Sequence, residues 1–209
     1  MEPTKAAEVR RILDRYLVEI VEEYDLCPWA RSARTSGELA VGIVWGVPTI
    51  DEWAASARAL LAQPRMRVAM IVAPELPGPP SVIREVRDTL IPLAPSAGIA
   101  HFHPEANLDL ASPARLVPFV RRSPDPLLQL VPLALLADVR ESQVVADLAL
   151  QAQILGGTAA PPREDVAEII ARANHTTVTA RHASLIAVLD DIAADRRAAY
   201  ARVGISASR

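Results

Sequence analysis

Apolar residues recur at helical spacing at the start of the chain. Leu13, Tyr16, Leu17, Ile20, Val21 and Tyr24 lie between Glu- and Arg-rich faces, which predicts one amphipathic helix from about Thr4 to Tyr24. The pattern then changes. The run Leu39 to Val47 is rich in β-branched residues and bounded by Gly37 and Pro48, as a buried strand is. Thr49 or Asp51 caps a helix through Gln63. A second strand spans Arg67 to Ala73, and its nearly continuous apolar character predicts burial on both faces. Ser81 with Glu85 opens a helix over Val82 to Ile91, and Ile99 to His103 reads as a third strand ahead of Pro104.

Strands alternating with helices predict an α/β fold: a small, mostly parallel sheet of about three strands flanked by helices. From Pro104 to Pro126 the chain reads as proline-rich and irregular. Ser123 then caps a short helix at Pro124 whose apolar run passes Pro132. Gly156-Gly157 through Pro161-Pro162 reads as a turn or link. Asp165 to Val203 reads as helix ended by Gly204, either one helix or two with a break near Asn174 to Thr179. The expected division is an α/β core over residues 1–155 and a helical C-terminal extension over 156–209 packed on the same core.

Composition narrows the function classes. The chain has 209 residues, 51% of them hydrophobic, and a formal charge of -3, so it can bury a core but offers no basic field for nucleic acid. Its richest apolar run, Leu127 to Ala137, falls short of the roughly 20 residues a membrane span needs. No basic stretch followed by an apolar one opens the chain, and a lone cysteine cannot form an internal disulfide, so the expected compartment is the cytoplasm.

Three short runs carry chemistry. In Leu26-Cys27-Pro28-Trp29-Ala30, proline follows the only cysteine just after a helix ends. Proline suits a first helical position, so a new turn is expected at Pro28 with Cys27 as its N-cap and the thiol facing free N–H groups that favour the thiolate. The alternative is a small buried hydrophobe. In His101-Phe102-His103-Pro104, His103 ends a strand, where it either takes a proton from Cys27 or bonds backbone. In Arg121-Arg122-Ser123-Pro124-Asp125-Pro126, a guanidinium beside a helix start is a candidate anion site, with a salt bridge as the alternative role of Arg122. His101 and His103 share one strand face, a spacing that suits a metal with Cys27 as third ligand. His175 and His182 share a helical face with a solvated or core-lining role, and Asp190 to Arg197 reads as a solvated helix face.

The runs LCPWA, FHP and RSPDPLLQL, in that order and spacing, resemble the bacterial domain of unknown function 1415 family over about Arg10 to Arg140. The resemblance implies no established reaction. It implies that Cys27, Pro28, His103, Pro104, Arg122, Ser123 and Pro124 match the family's motifs. Ala106, Leu108, Arg121 and Gln129 stand where that pattern has aromatic residues, an asparagine and a histidine.

The leading expectation is a small-molecule enzyme acting by group transfer, lysis or hydrolysis on an anionic substrate. Cys27 is its nucleophile and His103 its general base, with Arg122, Ser123 and Trp29 holding the substrate. No cofactor is expected, with a metal ion on His101, His103 and Cys27 as the first alternative and a non-catalytic interaction protein as the second. No nucleic-acid or membrane partner is expected, and the exposed face of Asp165 to Val203 leaves a homo-oligomer open.

Overall fold

The computed structural model describes residues 4–135 and 166–206. Helix α1 (Lys5–Tyr16) opens on Thr4, whose hydroxyl accepts from the Ala7 N–H. The expected α-helix does not run on to Tyr24: it widens into a π-helical segment, Leu17–Glu22. The wider turn carries Tyr16, Leu17 and Val21 onto one cavity wall. Asp25, in the left-handed region at φ +51°, then turns the chain back, with the Leu26 N–H bonded to the Val21 carbonyl at 2.9 Å.

There follow α2 (Ala30–Thr35), β1 (Leu39–Ile43), α3 (Ile50–Leu61), β2 (Val68–Val72), α4 (Pro80–Leu90), β3 (Ala97–Phe102), α5 (Pro113–Val120), β4 (Leu127–Pro132) and α6 (Val166–Val203). Thr49 and Glu52 form a reciprocal capping box at the start of α3. At Gly42 β1 comes close to that helix, and a Cβ there would lie 2.9 Å from the Ser56 hydroxyl oxygen.

The α/β class is as read from the sequence, but the sheet differs. It has four strands in the order β1-β2-β4-β3; only β1 and β2 pair in parallel, and β4 is antiparallel to both neighbours. The fourth strand is the stretch read as a helix after Ser123. Leu127, Leu128 and Leu130 are fully buried, so both faces of β4 are apolar and its period of two is hidden. Pro104 to Pro126 is also less irregular than expected. It holds α5, whose N-cap Ser112 accepts from the Arg115 N–H and whose first turn begins with Pro113. The C-terminal helix is unbroken over 38 residues. Val178 and Asn174 are buried in contacts that override the low propensity of that stretch.

One sheet face packs on α1, α5 and α6 through Met70, Val72, Leu127 and Phe102. The other packs on α3 and α4 through Ala69, Ile71, Leu128, Leu130 and Ile99. Asp190 to Arg197 is a solvated face only in part: Asp190, Asp191 and Arg197 are exposed, but Arg196 is buried and α6 is clamped by charge on two sides. Asp195 takes a bidentate bond from Arg11 at 2.7 and 2.8 Å, and Arg15 reaches both Asp191 and Asp195. On the inner side Arg196 donates to Asp125 and to the Pro74 carbonyl, and the Tyr200 hydroxyl donates to Asp125 at 2.6 Å. Among the described residues no helix is long and apolar enough to cross a membrane. The turn read at Gly156 to Pro162, the 155/156 boundary and the end of the Leu127 to Ala137 run lie outside the described residues.

Candidate functional site

A cavity of about 330 Å³ opens between the sheet and the helices that cover its first face. Val68, Met70, Gln129 and Phe102 form its floor, and Leu17 and Val21 of the π segment form an apolar wall. The polar residues of its lining are few and come from separate elements: Tyr16, Cys27, Arg121, Gln129 and Asn174. The cavity spreads under α5 and α6 across the sheet face, reaching Leu39 and Val68 at the starts of β1 and β2. It touches the carboxyl end of β3 at Phe102 but is not confined to the carboxyl edge where sequence reasoning would gather the site.

Cys27 is not an N-cap. Helix α2 begins at Ala30, with Trp29 in the capping position, and Pro28 belongs to the preceding turn, closed by the Ala30 N–H on the Cys27 carbonyl at 3.1 Å. The sulfur nevertheless meets the Trp29 and Ala30 N–H groups, which favour the thiolate. Burial outweighs them and pushes the thiol above its ordinary value, with Asp25 adding to the rise. Trp29 serves through its backbone; its side chain does not line the cavity. The Asn174 amide donates to the Leu26 carbonyl at 3.1 Å, so α6 holds the residue just before the cysteine.

The histidines stand elsewhere. His101 lies on β3 with Ala97 and Ile99, the parity that faces α3 and α4, whereas Phe102 faces the cavity. His101 and Cys27 therefore line different cavities. His101 and His103 line a second cavity, of about 390 Å³, together with Pro80, Glu105 and Arg115. The His101 Nδ1 lies 2.9 Å from an Arg87 amine, so it accepts and the ring is neutral. Burial first, then Arg87, Arg121 and Arg84, push it down to about 4. His103 uses both nitrogens on backbone: Nδ1 accepts from the Glu105 N–H and Nε2 donates to the Gly78 carbonyl, each at 3.1 Å. Burial lowers its pKa as well. With its one ring lone pair committed to the Glu105 N–H and its ring on a different cavity from Cys27, His103 acts as a strand-end anchor.

Arg122 and Ser123 line neither cavity. The Arg122 Nε donates to the Pro104 carbonyl at 3.0 Å and its guanidinium lies 3.6 Å from Asp190, while the buried Ser123 hydroxyl donates to the Asp125 carbonyl at 2.5 Å. Those residues brace the turn into β4, because Ser123 precedes a strand and leaves no free helix N–H groups for an anion. His101, His103 and Cys27 do not converge, and no group of three or more His, Cys, Asp or Glu side chains suited to a metal ion occurs among the described residues.

No family model matches the chain. Nor does any curated protein or solved structure.

Sequence reasoning missed Tyr16, Arg121, Gln129 and Asn174 as site residues. Two carried a signal. Gln129 is the one polar side chain in the run Leu127 to Val131, and Arg121 opens the run that carries Arg122 and Ser123. Among the described residues neither the Arg121 guanidinium nor the Gln129 amide has a hydrogen-bond or ion-pair partner, and the Tyr16 hydroxyl is buried without one.

Proposed function

We propose that this chain is a cytoplasmic small-molecule enzyme that takes an anionic substrate into the Cys27 cavity, with the Cys27 sulfur as nucleophile. The observation that carries the reading is the cavity itself. It is a mostly apolar hollow into which a thiol, a guanidinium and uncommitted polar groups converge, the usual constitution of a ligand site. Arg121 replaces Arg122 as the anion anchor, and the Trp29 and Ala30 N–H groups hold the thiolate as it forms. None of the four histidines lines the cavity, so the thiol proton passes to the leaving group or to water as the carbon–sulfur bond forms. Membership of the domain of unknown function 1415 family belongs to the same proposal and adds no reaction to it.

The rise in the Cys27 pKa favours a second reading, a binding protein whose thiol is inert. A mono-p-nitrophenyl ester of suberic acid separates the two, because it presents an electrophilic carbonyl and a free carboxylate. The enzyme reading expects a burst of one equivalent of nitrophenolate and an acyl adduct on the protein by intact mass. Cys27→Ser should abolish both. Equal nitrophenolate release by the two proteins, without an adduct, would leave only the binding reading.

A further inference from the structure

We infer that Arg121 selects the ligand of the Cys27 cavity, and that this ligand is a monocarboxylic acid with an apolar body. The inference rests on the reading of that cavity as a ligand site and adds the substrate class and the residue that recognises it. Arg121 closes α5, and its own carbonyl accepts from the His103 N–H at 3.2 Å, so the backbone at this residue is held in place. Arg121 lines both the Cys27 cavity and the histidine cavity. Arg121 is partly buried, and among the described residues no carboxylate or carbonyl compensates its guanidinium. Burial and the neighbouring Arg87 both oppose its charge. A guanidinium stays protonated under such conditions, so among the described residues Arg121 is a cation with no anionic partner, and a ligand entering the cavity can supply one.

The rest of the cavity says what that partner carries. Its walls are apolar, with Leu17, Val21 and Phe102 against the open volume. A single guanidinium fork matches one planar carboxylate; a phosphate dianion would leave charge unpaired among these side chains. The Tyr16 hydroxyl supplies the independent indication. Tyr16 is 1% exposed and lines this cavity, its hydroxyl has no partner among the described residues, and it lies close enough to the Cys27 sulfur for a thiolate there to raise it further. A buried orphan hydroxyl and an uncommitted Gln129 amide on the floor are the donors that an acid, or the oxygen next to its reacting carbon, would meet. The volume lies at the small end of ligand cavities, which suits a short-chain or single-ring acid.

The test uses the full chain and calorimetric titration with octanoate and its isosteric amide. The acid should bind the unaltered protein about 10- to 100-fold more tightly than the amide, the loss expected when a charge-assisted pair is removed. Arg121→Gln should erase that preference, Arg121→Lys should keep part of it, and Arg122→Gln should keep it whole. The acid-to-amide comparison needs no variant, so a misfolded Arg121→Gln does not blunt it. Equal binding of acid and amide, or no acid binding at millimolar concentration, overturns the inference. Cys27→Ser is titrated beside the others. Acid preference without the acyl adduct sinks the thiol reading and leaves this one standing, while an adduct without acid preference does the reverse.

Discussion

A neutral imidazole among three arginines has a pH signature. His101 accepts from Arg87 while Arg121 and Arg84 add repulsion, and only Asp88 pulls the other way. Folding therefore lowers its pKa to about 4 from the usual value of about 6.5. Between those two values the unfolded chain binds the additional proton. The stability that His101 contributes is thus complete above about pH 6.5, declines as pH falls and stops declining below about 4. The ring is partly exposed, and solvent screening reduces the contribution to about 1 kcal/mol. His103, whose pKa burial also lowers, acts in the same direction. Urea unfolding at several pH values checks it: His101→Asn keeps an acceptor for Arg87 but cannot titrate, so its stability should fall less steeply than that of the unaltered chain between pH 6.5 and 4.5. Parallel curves would mean that the imidazole is not depressed in the folded state.

At the scale of the element, β4 decides both the fold and the site. It enters the sheet between β2 and β3 and opposes Met70 and Ala100 with Gln129, a polar side chain on the cavity floor of a central strand. A folded core gains nothing from an unpaired amide there, so Gln129→Leu is expected to stabilise the free protein by about 0.5–2 kcal/mol. The same change should weaken octanoate binding, and melting curves with and without the acid read both effects. A variant that loses stability would show the amide to be structural. This strand also marks where the sequence stopped being legible. Long amphipathic segments such as α1 and α3 and the β-branched runs of β1 and β2 were readable because each carries its own period. Leu127 to Val131 was not, since a strand covered on both faces has no polar alternation and its length fits a short helix equally well. The error passed on to the site. Once β4 was read as helix, Ser123 looked like a cap with free N–H groups and Arg122 like its companion, whereas the strand pairing puts Gln129 on the floor and Arg121 on the wall. For Cys27 and His103, adjacency in the motif order gave no warning that β3 turns His101 toward one face and Phe102 toward the other; parity against a covered sheet is a tertiary property.

Across the whole molecule, α6 is what turns an open sheet face into a cavity, and a buried charge network holds it there. Asp125 is 1% exposed and meets both Arg196 and the Tyr200 hydroxyl, with Arg196 also stacked 4.6 Å over the Tyr200 ring centroid. Burial pushes the Asp125 carboxyl up, and these two partners pull it back. The network joins the turn before β4 to the far end of the helix whose Asn174 steadies the Cys27 segment. Removing one member should be costly, because the others stay buried. Asp125→Asn leaves the Arg196 guanidinium uncompensated and is expected to cost about 3–5 kcal/mol. Tyr200→Phe strips one bond from a charged oxygen and should cost about 1–3 kcal/mol. That cost measures the orphaned charge, not the worth of the pair. If so, Asp125→Leu with Arg196→Met should recover most of the loss, short of the Tyr200 hydroxyl left alone, and adding Tyr200→Phe should recover that remainder as well. Chemical denaturation of the single, double and triple variants reads the series directly. A triple variant no more stable than Asp125→Asn would mean that the ion pair itself, and not the avoidance of a stranded charge, fastens α6 over the cavity.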